Sequence, residues 1–443
     1  MKKMTMLLLV VLALLAVGAS ADEMDDLKAK VEAQDEEISQ LKDQMDQLDS
    51  RQRSKEESMN EKIEEVDKKA ESGGLPESMK WVEKISWYGD FRYRHEEIND
   101  QGRSSDSRYS RDRIRARIGM RAEISDEILF NIRLGTGSSD PKSANQTLGD
   151  SWSSKPVWVD RAYIAYRPKA LPGFGIGIGK DETPYYKVGK NQMLWDDDLN
   201  MEGVYAEYTG DITSSTQITG SAGGFWVVER HGSSSVDTGM LGLQGLIEQT
   251  ITESSKVVGG GSYYGFTNLK GQQALSNGWN TGSNNFYGND NSGGGTPVYL
   301  MDYKLLELFL SWESAFGSLP YSVFGSWVQN MDAIANSVTG DKEDTGYIAG
   351  VTLNKPQKQW DWQLAYDYRQ VKADAVVGQF TDSDFFGGNT GGKGHRVSGG
   401  LQLQKNTQLV ATFFIDNEYD ASHGADTGKK YNRIQLDLKV KFK

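Results

Sequence analysis

The stretch that most constrains the fold is RDRIRARIGMRAEI, residues 111–124, in which apolar and charged residues alternate. The even positions are apolar: Ile114, Ala116, Ile118, Met120, Ala122 and Ile124. The odd positions carry five arginines: Arg111, Arg113, Arg115, Arg117 and Arg121. A helix would scatter these arginines around its circumference, whereas a strand places them on one face, behind an apolar face. The stretch therefore predicts a β-strand with an apolar environment on one side and water on the other.

The composition favours one large β structure over several small domains. The chain has 443 residues, among them 49 Gly, 20 Tyr and 11 Trp, and its mean hydropathy is −0.58. A transmembrane β-barrel accommodates such polarity because only alternate residues face lipid. The absence of cysteine from the sequence excludes disulfides, thiolate metal sites and a cysteine nucleophile. The formal net charge of −13 argues against a nucleic-acid partner.

The first 21 residues have the pattern of a secretory signal peptide. Lys2 and Lys3 precede an apolar core, Leu7–Ala16, and Ala19-Ser20-Ala21 forms an A-x-A cleavage site. We expect residues 1–21 to be removed, so that the mature chain begins near Asp22. The alternative is an uncleaved anchor, but the apolar run is short for a membrane-spanning helix.

Residues 22–72 carry a heptad repeat, which predicts an α-helical coiled coil. The apolar a positions are Met24, Val31, Ile38, Met45, Met59 and Val66, with Gln52 as the polar exception. Leucines occupy d positions at Leu27, Leu41 and Leu48, and the later d positions are Lys55, Lys62 and Lys69. The lysines predict a weaker far end, and the alternative to self-association is a lone charged helix. Residues 73–84, which begin with GGLP, are predicted to be a linker.

From residue 85 to residue 443, strand-length alternating segments replace the helical pattern. Short turns, such as Ser125–Glu127 and Thr209–Asp211, alternate with long polar loops, such as 138–156, 267–297 and 372–394. A soluble β-sandwich has no reason to segregate its loops by length in this way, but an outer-membrane barrel has short turns on one rim and long loops on the other. We therefore predict an all-β transmembrane barrel of about sixteen antiparallel strands.

In such a barrel the arginine face of residues 111–124 lies on the lumenal side, where water keeps the cost of charge low. About sixteen strands leave an aqueous channel. Aromatic residues near predicted strand ends are expected to form the two interfacial girdles: Trp87, Tyr93, Trp312, Trp360, Trp362, Tyr366 and Tyr368.

The ordered set of segments resembles the family of putative porins of Gram-negative bacteria, related in style to the phosphate-selective porins. The resemblance covers about residues 85–443. It is carried by WYGDFRYR, DRIRARIGMRAEI, IRLGTGSSDP, DRAYIAY, GKDETPYYKVGKNQMLWDDDLNMEGV, AYDYRQVKADAVVGQFTDSDF and the closing strand. It implies a sixteen-stranded homotrimeric channel in the outer membrane, with the coiled coil in the periplasm. One departure is that Lys443 follows Phe442, whereas such barrels usually end in an aromatic residue.

The third long loop, 181–202, folds inward in porins of this size, and here it contains Asp196, Asp197 and Asp198. The candidate basic wall of the pore is Arg92, Arg94, Arg113, Arg115, Arg117, Arg133 and Arg161. An acidic loop that faces a basic wall predicts an electric field across the channel. Such a field would orient polar solutes at a constriction. The alternatives are a solvated loop tip or salt bridges that fix the loop to the wall. The spacing of a calcium loop is absent from the aspartate run, and no metal or cofactor is expected.

Catalytic motifs are missing from the sequence: the four histidines are scattered, and neither H-E-x-x-H nor G-x-S-x-G occurs. We therefore expect a channel and not an enzyme. The predicted function is an outer-membrane porin for small hydrophilic or anionic solutes, with lipid as its surroundings. The alternative is a structural anchor or adhesin that contacts the cell wall through the coiled coil.

Overall fold

The computed structural model describes residues 21–71, 77–102, 107–230, 236–275 and 285–442. The predicted signal peptide, apart from Ala21, lies outside the described residues. The chain divides into two units, one ending at Glu83 and the other beginning at Lys84.

The first unit contains one long helix, α1, which runs without interruption from Ala21 to Glu71. A 3₁₀ helix of eight residues, Glu77–Lys84, follows it. The apolar heptad positions of α1 are exposed along its described middle part, and Leu48, for example, is 62% exposed. The helix agrees with the heptad pattern, whereas its self-association stays a prediction. In the described part of the chain, no helix has the length and apolarity needed to cross a membrane.

The second unit is a single antiparallel sheet of sixteen long strands. We number them β1 Ile85–Asp100, β2 Arg108–Glu123, β3 Ile128–Thr136, β4 Val157–Tyr166, β5 Phe174–Glu182, β6 Asn200–Thr213, β7 Thr216–Val228, β8 Thr238–Thr252, β9 Ser255–Thr267, β10 Lys304–Phe316, β11 Leu319–Asn330, β12 Thr345–Leu353, β13 Trp362–Val371, β14 Gly392–Gln404, β15 Thr407–Tyr419 and β16 Lys430–Phe442. A two-residue strand, Gln146–Thr147, lies in the loop after β3 and pairs with β2.

Each strand pairs with its neighbours in sequence, and β16 pairs with β1 from Gly89–Phe442 to Asp100–Tyr431. The sheet is therefore a closed barrel, as predicted. Turns such as 214–215 and 317–318 alternate with long loops such as 183–199, 268–303 and 372–391. The predicted turn at Thr209–Asp211 is wrong, because β6 continues to Thr213 and these residues pair with β7.

The two faces of β2 confirm the alternation in its sequence. Ile118 faces outward and is 49% exposed, whereas Arg115 and Arg117 point inward and are mostly covered. Strand pairing extends this pattern around the barrel, and Phe91, Ile164 and Leu438 are also exposed apolar residues. A continuous apolar outer surface of this kind is what a membrane-spanning barrel needs.

The interior of the barrel has an apolar side and a charged side. On the apolar side, loops 183–199, 268–303 and 372–391 pack buried side chains against β6–β13. Val188, Met193, Tyr303 and Val376 in these loops are almost fully buried. The charged side is formed mainly by β1–β4 and β16, whose inward residues make ion pairs. Side chains of the three loops 183–199, 268–303 and 372–391 therefore lie inside the barrel.

Candidate permeation site

The charged side is organised around Asp198, which lies at the end of loop 183–199. Its Oδ1 atom accepts hydrogen bonds from Arg115 Nη1 at 2.8 Å and from Arg117 Nη1 at 3.3 Å. The same two guanidinium groups bind Asp90 of β1, with Arg115 Nη2 2.9 Å from Oδ2 and Arg117 Nε 2.7 Å from Oδ1. Two arginines therefore alternate with two carboxylates, one from the wall and one from the loop.

The arginines determine the protonation state of Asp198. Burial alone would raise its pKa, but attraction by Arg115, Arg92 and Arg117 lowers the pKa below the usual range. Its second oxygen, Oδ2, accepts a hydrogen bond from the backbone N–H of Ala144, 3.2 Å away in loop 137–156. Asp198 is therefore an ionised link between the barrel wall and two loops.

The other two aspartates of the run have different environments. Asp196 is buried, and its carboxylate accepts hydrogen bonds from the backbone N–H of Ser383 at 2.7 Å and of Asp198 at 2.8 Å. Burial, followed by repulsion from Asp198 and Asp382, raises the pKa of Asp196. Asp197 is 56% exposed and pairs with Lys187 within its own loop. The three adjacent carboxylates thus do not form one acidic surface.

Arg92 and Arg94 of β1 contact different partners. Arg94 binds Asp437 of β16, with Nε 2.6 Å from Oδ1, and also binds Asp384 of loop 372–391 at 2.9 Å. Arg92 donates from Nη2 to the amide oxygen of Asn145 at 2.6 Å. Among the described residues, Arg92 has no carboxylate within salt-bridge distance. It is the member of the basic wall with the least compensated charge.

The remaining predicted arginines also lie on the inner face and are paired. Arg113 is 3.6 Å from Glu96, which is fully buried and also binds Arg433. Arg133 binds Asp160, and Arg161 binds Asp181 and Glu182, the latter at 2.6 Å. All seven predicted arginines therefore point into the barrel, but most of them act as ion-pair partners and are not free charges.

Loop 372–391 contributes residues that the sequence reasoning missed. Asp384 binds Arg94 and Arg433, and Asp382 binds Arg369 of β13 at 2.8 Å. Lys142, from loop 137–156, is buried and donates to the carbonyl oxygens of Gly378 and Gly388, both at 2.9 Å. Loop 372–391, the second inward-folded loop, also contacts loop 183–199, because the backbone N–H of Ser383 donates to Asp196 Oδ2 at 2.7 Å. The apolar residues of loop 372–391 were a signal that it folds inward: Val376, Val377, Phe380, Phe385 and Phe386. By contrast, nothing in the local sequence marks Asp384 as the partner of Arg94.

Potential metal ligands do not converge at this site. Across the described ranges, no group of three or more histidine, aspartate or glutamate side chains is arranged to hold an ion. The carboxylates of the site instead face guanidinium groups or backbone N–H groups. This arrangement can orient polar solutes, but it has the geometry of an ion-pair network.

Comparison with known families agrees with the barrel fold. A family model described as "Putative porin" matches residues 99–293 and 302–442. The chain belongs to this porin family. It is therefore an outer-membrane channel protein by family, with a sixteen-stranded barrel.

Solved porin structures share the fold of this porin at low sequence identity. OprB of Pseudomonas putida, in a high-pH structure, is 9% identical with a TM-score of 0.52, covering 82% of this chain and 96% of that chain. OmpF of Salmonella typhi, in a complex with daunomycin, is 12% identical with a TM-score of 0.50, covering 81% and 97%. No curated protein sequence matches the chain.

Proposed function

We propose that this porin forms a water-filled channel for small hydrophilic solutes, with a preference for anions. The supporting observation is the inner wall of β1 and β2, where inward-facing arginines lie behind an apolar outer surface. Arg92 carries the argument for anion preference because its charge has an amide partner and no paired carboxylate among the described residues. A lumenal cation whose charge is only partly compensated attracts permeating anions through water.

The test is a measurement of reversal potential in planar bilayers containing the full-length protein. Under a KCl gradient, the reversal potential should have the sign that indicates anion selectivity. Arg92→Gln should move the reversal potential toward zero. The matched control is Arg167→Gln, because Arg167 is 62% exposed on a short turn and lies outside the charged interior. An anion preference that is the same in Arg92→Gln and the parent protein would contradict this assignment.

We also propose that the porin is a homotrimer and that α1 lies in the periplasm and contributes to its assembly. The supporting observation is the row of exposed apolar heptad residues on α1, such as Ile38, Leu41 and Leu48. Mixed Met, Val and Ile at the a positions do not select the number of strands in the coiled coil. Trimer formation therefore rests on the resemblance to porins.

A second candidate function is a structural anchor that reaches the cell wall through α1. The apolar cluster that fills one side of the barrel favours it, because this cluster reduces the space for solutes. Liposome swelling distinguishes the two functions. Liposomes containing a porin should swell in solutions of small sugars or salts, whereas liposomes containing a plugged anchor should behave as empty ones do.

A further inference from the structure

The barrel wall is interrupted between β4 and β5. These strands share a backbone ladder only from Ala162–Lys180 to Tyr166–Ile176. Toward the long loops, residues 157–161 pair only with β3, and residues 181–182 pair only with β6. The two strands therefore separate, and their edges leave a gap in the part of the wall nearest the long loops.

Gly179 is the residue at which β5 turns away from β4. Its φ is +123°, which side-chain-bearing residues rarely adopt. A Cβ atom at this position would lie 2.3 Å from the carbonyl oxygen of Ala162. The separation of the strands is thus built into the sequence by a glycine at the end of the ladder.

Side chains replace the missing backbone pairing at the gap. Arg161 of β4 binds Asp181 and Glu182 of β5. Asn200 of β6 donates from Nδ2 to Asp160 Oδ1 at 2.9 Å. Such contacts can separate without breaking a continuous backbone ladder.

A cavity of about 390 Å³ leads from this gap into the barrel. Its inner wall contains Trp195, Phe266 and Phe380, whose ring centroids lie 6.0–6.4 Å apart. Its outer lining includes Val159 and Glu202, which face away from the barrel interior. The cavity therefore contacts both an aromatic interior and the outer surface of the wall.

The outer mouth lies at the long-loop end of the apolar band, with apolar residues on the β4 edge and an ion pair on the opposite edge. On one edge, Val159 is 54% exposed, and Val157 and Ile164 on the same strand are also exposed. On the opposite edge, Lys180 of β5 and Glu202 of β6 line the cavity and form an ion pair in which Glu202 is 59% exposed. A molecule leaving the cavity through the gap would therefore place its apolar part against lipid beside Val159 and a polar group beside Lys180 and Glu202.

From this geometry we propose that the gap is a lateral port for a small apolar or amphipathic molecule that contains an aromatic ring. The cavity volume is in the range of small-molecule sites, and its aromatic lining stabilises an apolar body by removing it from water. The solute passes between the cavity and the hydrocarbon of the membrane. This route goes beyond conduction of hydrophilic solutes because it leaves the barrel through the wall between β4 and β5, although the cavity also contacts Asp198.

Binding is tested with the full-length protein in an amphipathic polymer, so that detergent does not fill the mouth. The probe is N-phenylnaphthylamine, whose fluorescence increases in apolar surroundings. The parent protein should give saturable binding. Ser139→Trp, which fills the cavity, should weaken binding about tenfold, or ~1.4 kcal/mol. Ser154→Trp, an exposed site in the same loop, is the control and should bind as the parent does.

Lateral passage is tested in whole cells with Val159→Trp, which narrows the outer mouth, and with Val157→Trp as the control outside the cavity lining. Val159→Trp should slow uptake of the probe several-fold and leave KCl conductance unchanged, with heat-modifiable mobility on gels as the check of folding. Equal uptake of the probe by cells with Val159→Trp and Val157→Trp would contradict the proposed lateral port. Unchanged binding of the probe to Ser139→Trp would also contradict it. Loss of conductance in every protein with probe binding retained would instead reject the channel and keep the port.

Discussion

Arg115 and Ile118 lie three residues apart on β2 but on opposite sides of the barrel wall. Arg115 binds Asp90 and Asp198 inside, whereas Ile118 is exposed on the outer apolar surface. Arg115→Gln should weaken anion preference in bilayer recordings at low salt. Its effect should diminish at 1 M salt, where the Debye length falls to about 3 Å.

Ile118→Arg is the matched substitution on the outer face and should affect assembly instead. An arginine facing lipid near the bilayer midplane costs about 2–4 kcal/mol. The folded fraction on heat-modifiability gels should decrease, and the selectivity of those channels that form should stay unchanged. If Ile118→Arg altered selectivity and Arg115→Gln altered only folding, the assignment of the two faces would be wrong.

Asp198 and Asp197 provide a second pair for comparison, because they are adjacent but differ in burial and in partners. Asp198→Asn leaves Arg115 and Arg117 with less compensation, and breaking a buried ion pair typically costs 3–5 kcal/mol. We expect loop 183–199 to loosen, which single-channel recordings should register as increased current noise. Asp197→Asn is the control, since its exposed pair with Lys187 contributes little.

Asp374, in loop 372–391, predicts a pH dependence of loop stability. Burial raises its pKa to about 6, and its Oδ1 accepts hydrogen bonds from Tyr303 Oη and Asp290 N, both at 2.9 Å. A carboxyl with a raised pKa favours folding when protonated, so this stability is present below about pH 4 and lost as the pH rises through 6. The change is on the order of 2–3 kcal/mol.

Hydrogen exchange of the amides in loop 372–391, corrected for intrinsic rates, measures this effect. Protection should be greater at pH 5 than at pH 7 in the parent protein. Asp374→Asn removes the titrating group and should make the protection nearly independent of pH. A parent protein that is better protected at pH 7 than at pH 5 would reverse the sign and contradict the prediction.

At the scale of elements, alternation predicted the strands whose outer faces carry large apolar residues. β2 was predictable because its apolar and charged residues alternate over most of its length. The extension of β6 through Thr209–Asp211 was not, because Thr, Gly and Asp there resemble turn residues. Pairing with β7 overrides this local preference.

The inward loops were predicted only in part, and the reason is physical. The sequence shows three adjacent acidic residues at 196–198, so a position opposite the arginines of the barrel wall could be inferred from their charge. Lys142 and Asp384, by contrast, act through backbone carbonyls and arginines that are distant in sequence. Contacts between loops depend on the closed barrel, and no local periodicity encodes them.

The helix α1 carries a prediction of its own at this scale. If its exposed heptad stripe is covered by other copies of the chain, Leu41→Asp with Leu48→Asp should reduce crosslinking of the full-length protein to oligomers. Each buried leucine contributes about 1.5–3 kcal/mol. Gln40→Asp, at an exposed c position away from the a and d stripe, is the control and should crosslink as the parent does. Equal crosslinking in all three proteins would mean that the barrel alone holds the copies together.

At the scale of the whole molecule, the closed barrel determines which groups share a side of the membrane. The first and last strands meet, so the ends of β1 and β16 near Gly89 and Phe442 lie on the same rim as the short turns. The long loops occupy the opposite rim. If α1 is periplasmic, the rim with the short turns faces the periplasm, and the rim with loops 137–156 and 372–391 faces the outside.

This sidedness can be tested with single cysteines, because the native sequence contains none. Ser154→Cys places a thiol on an exposed part of loop 137–156, and Lys405→Cys places one on an exposed short turn. On intact cells, a membrane-impermeant maleimide too large for the channel should label Ser154→Cys only, and after disruption of the outer membrane it should label both. Labelling of Lys405→Cys alone on intact cells would mean that the barrel is inserted the other way, with α1 outside the cell and unable to contact the cell wall.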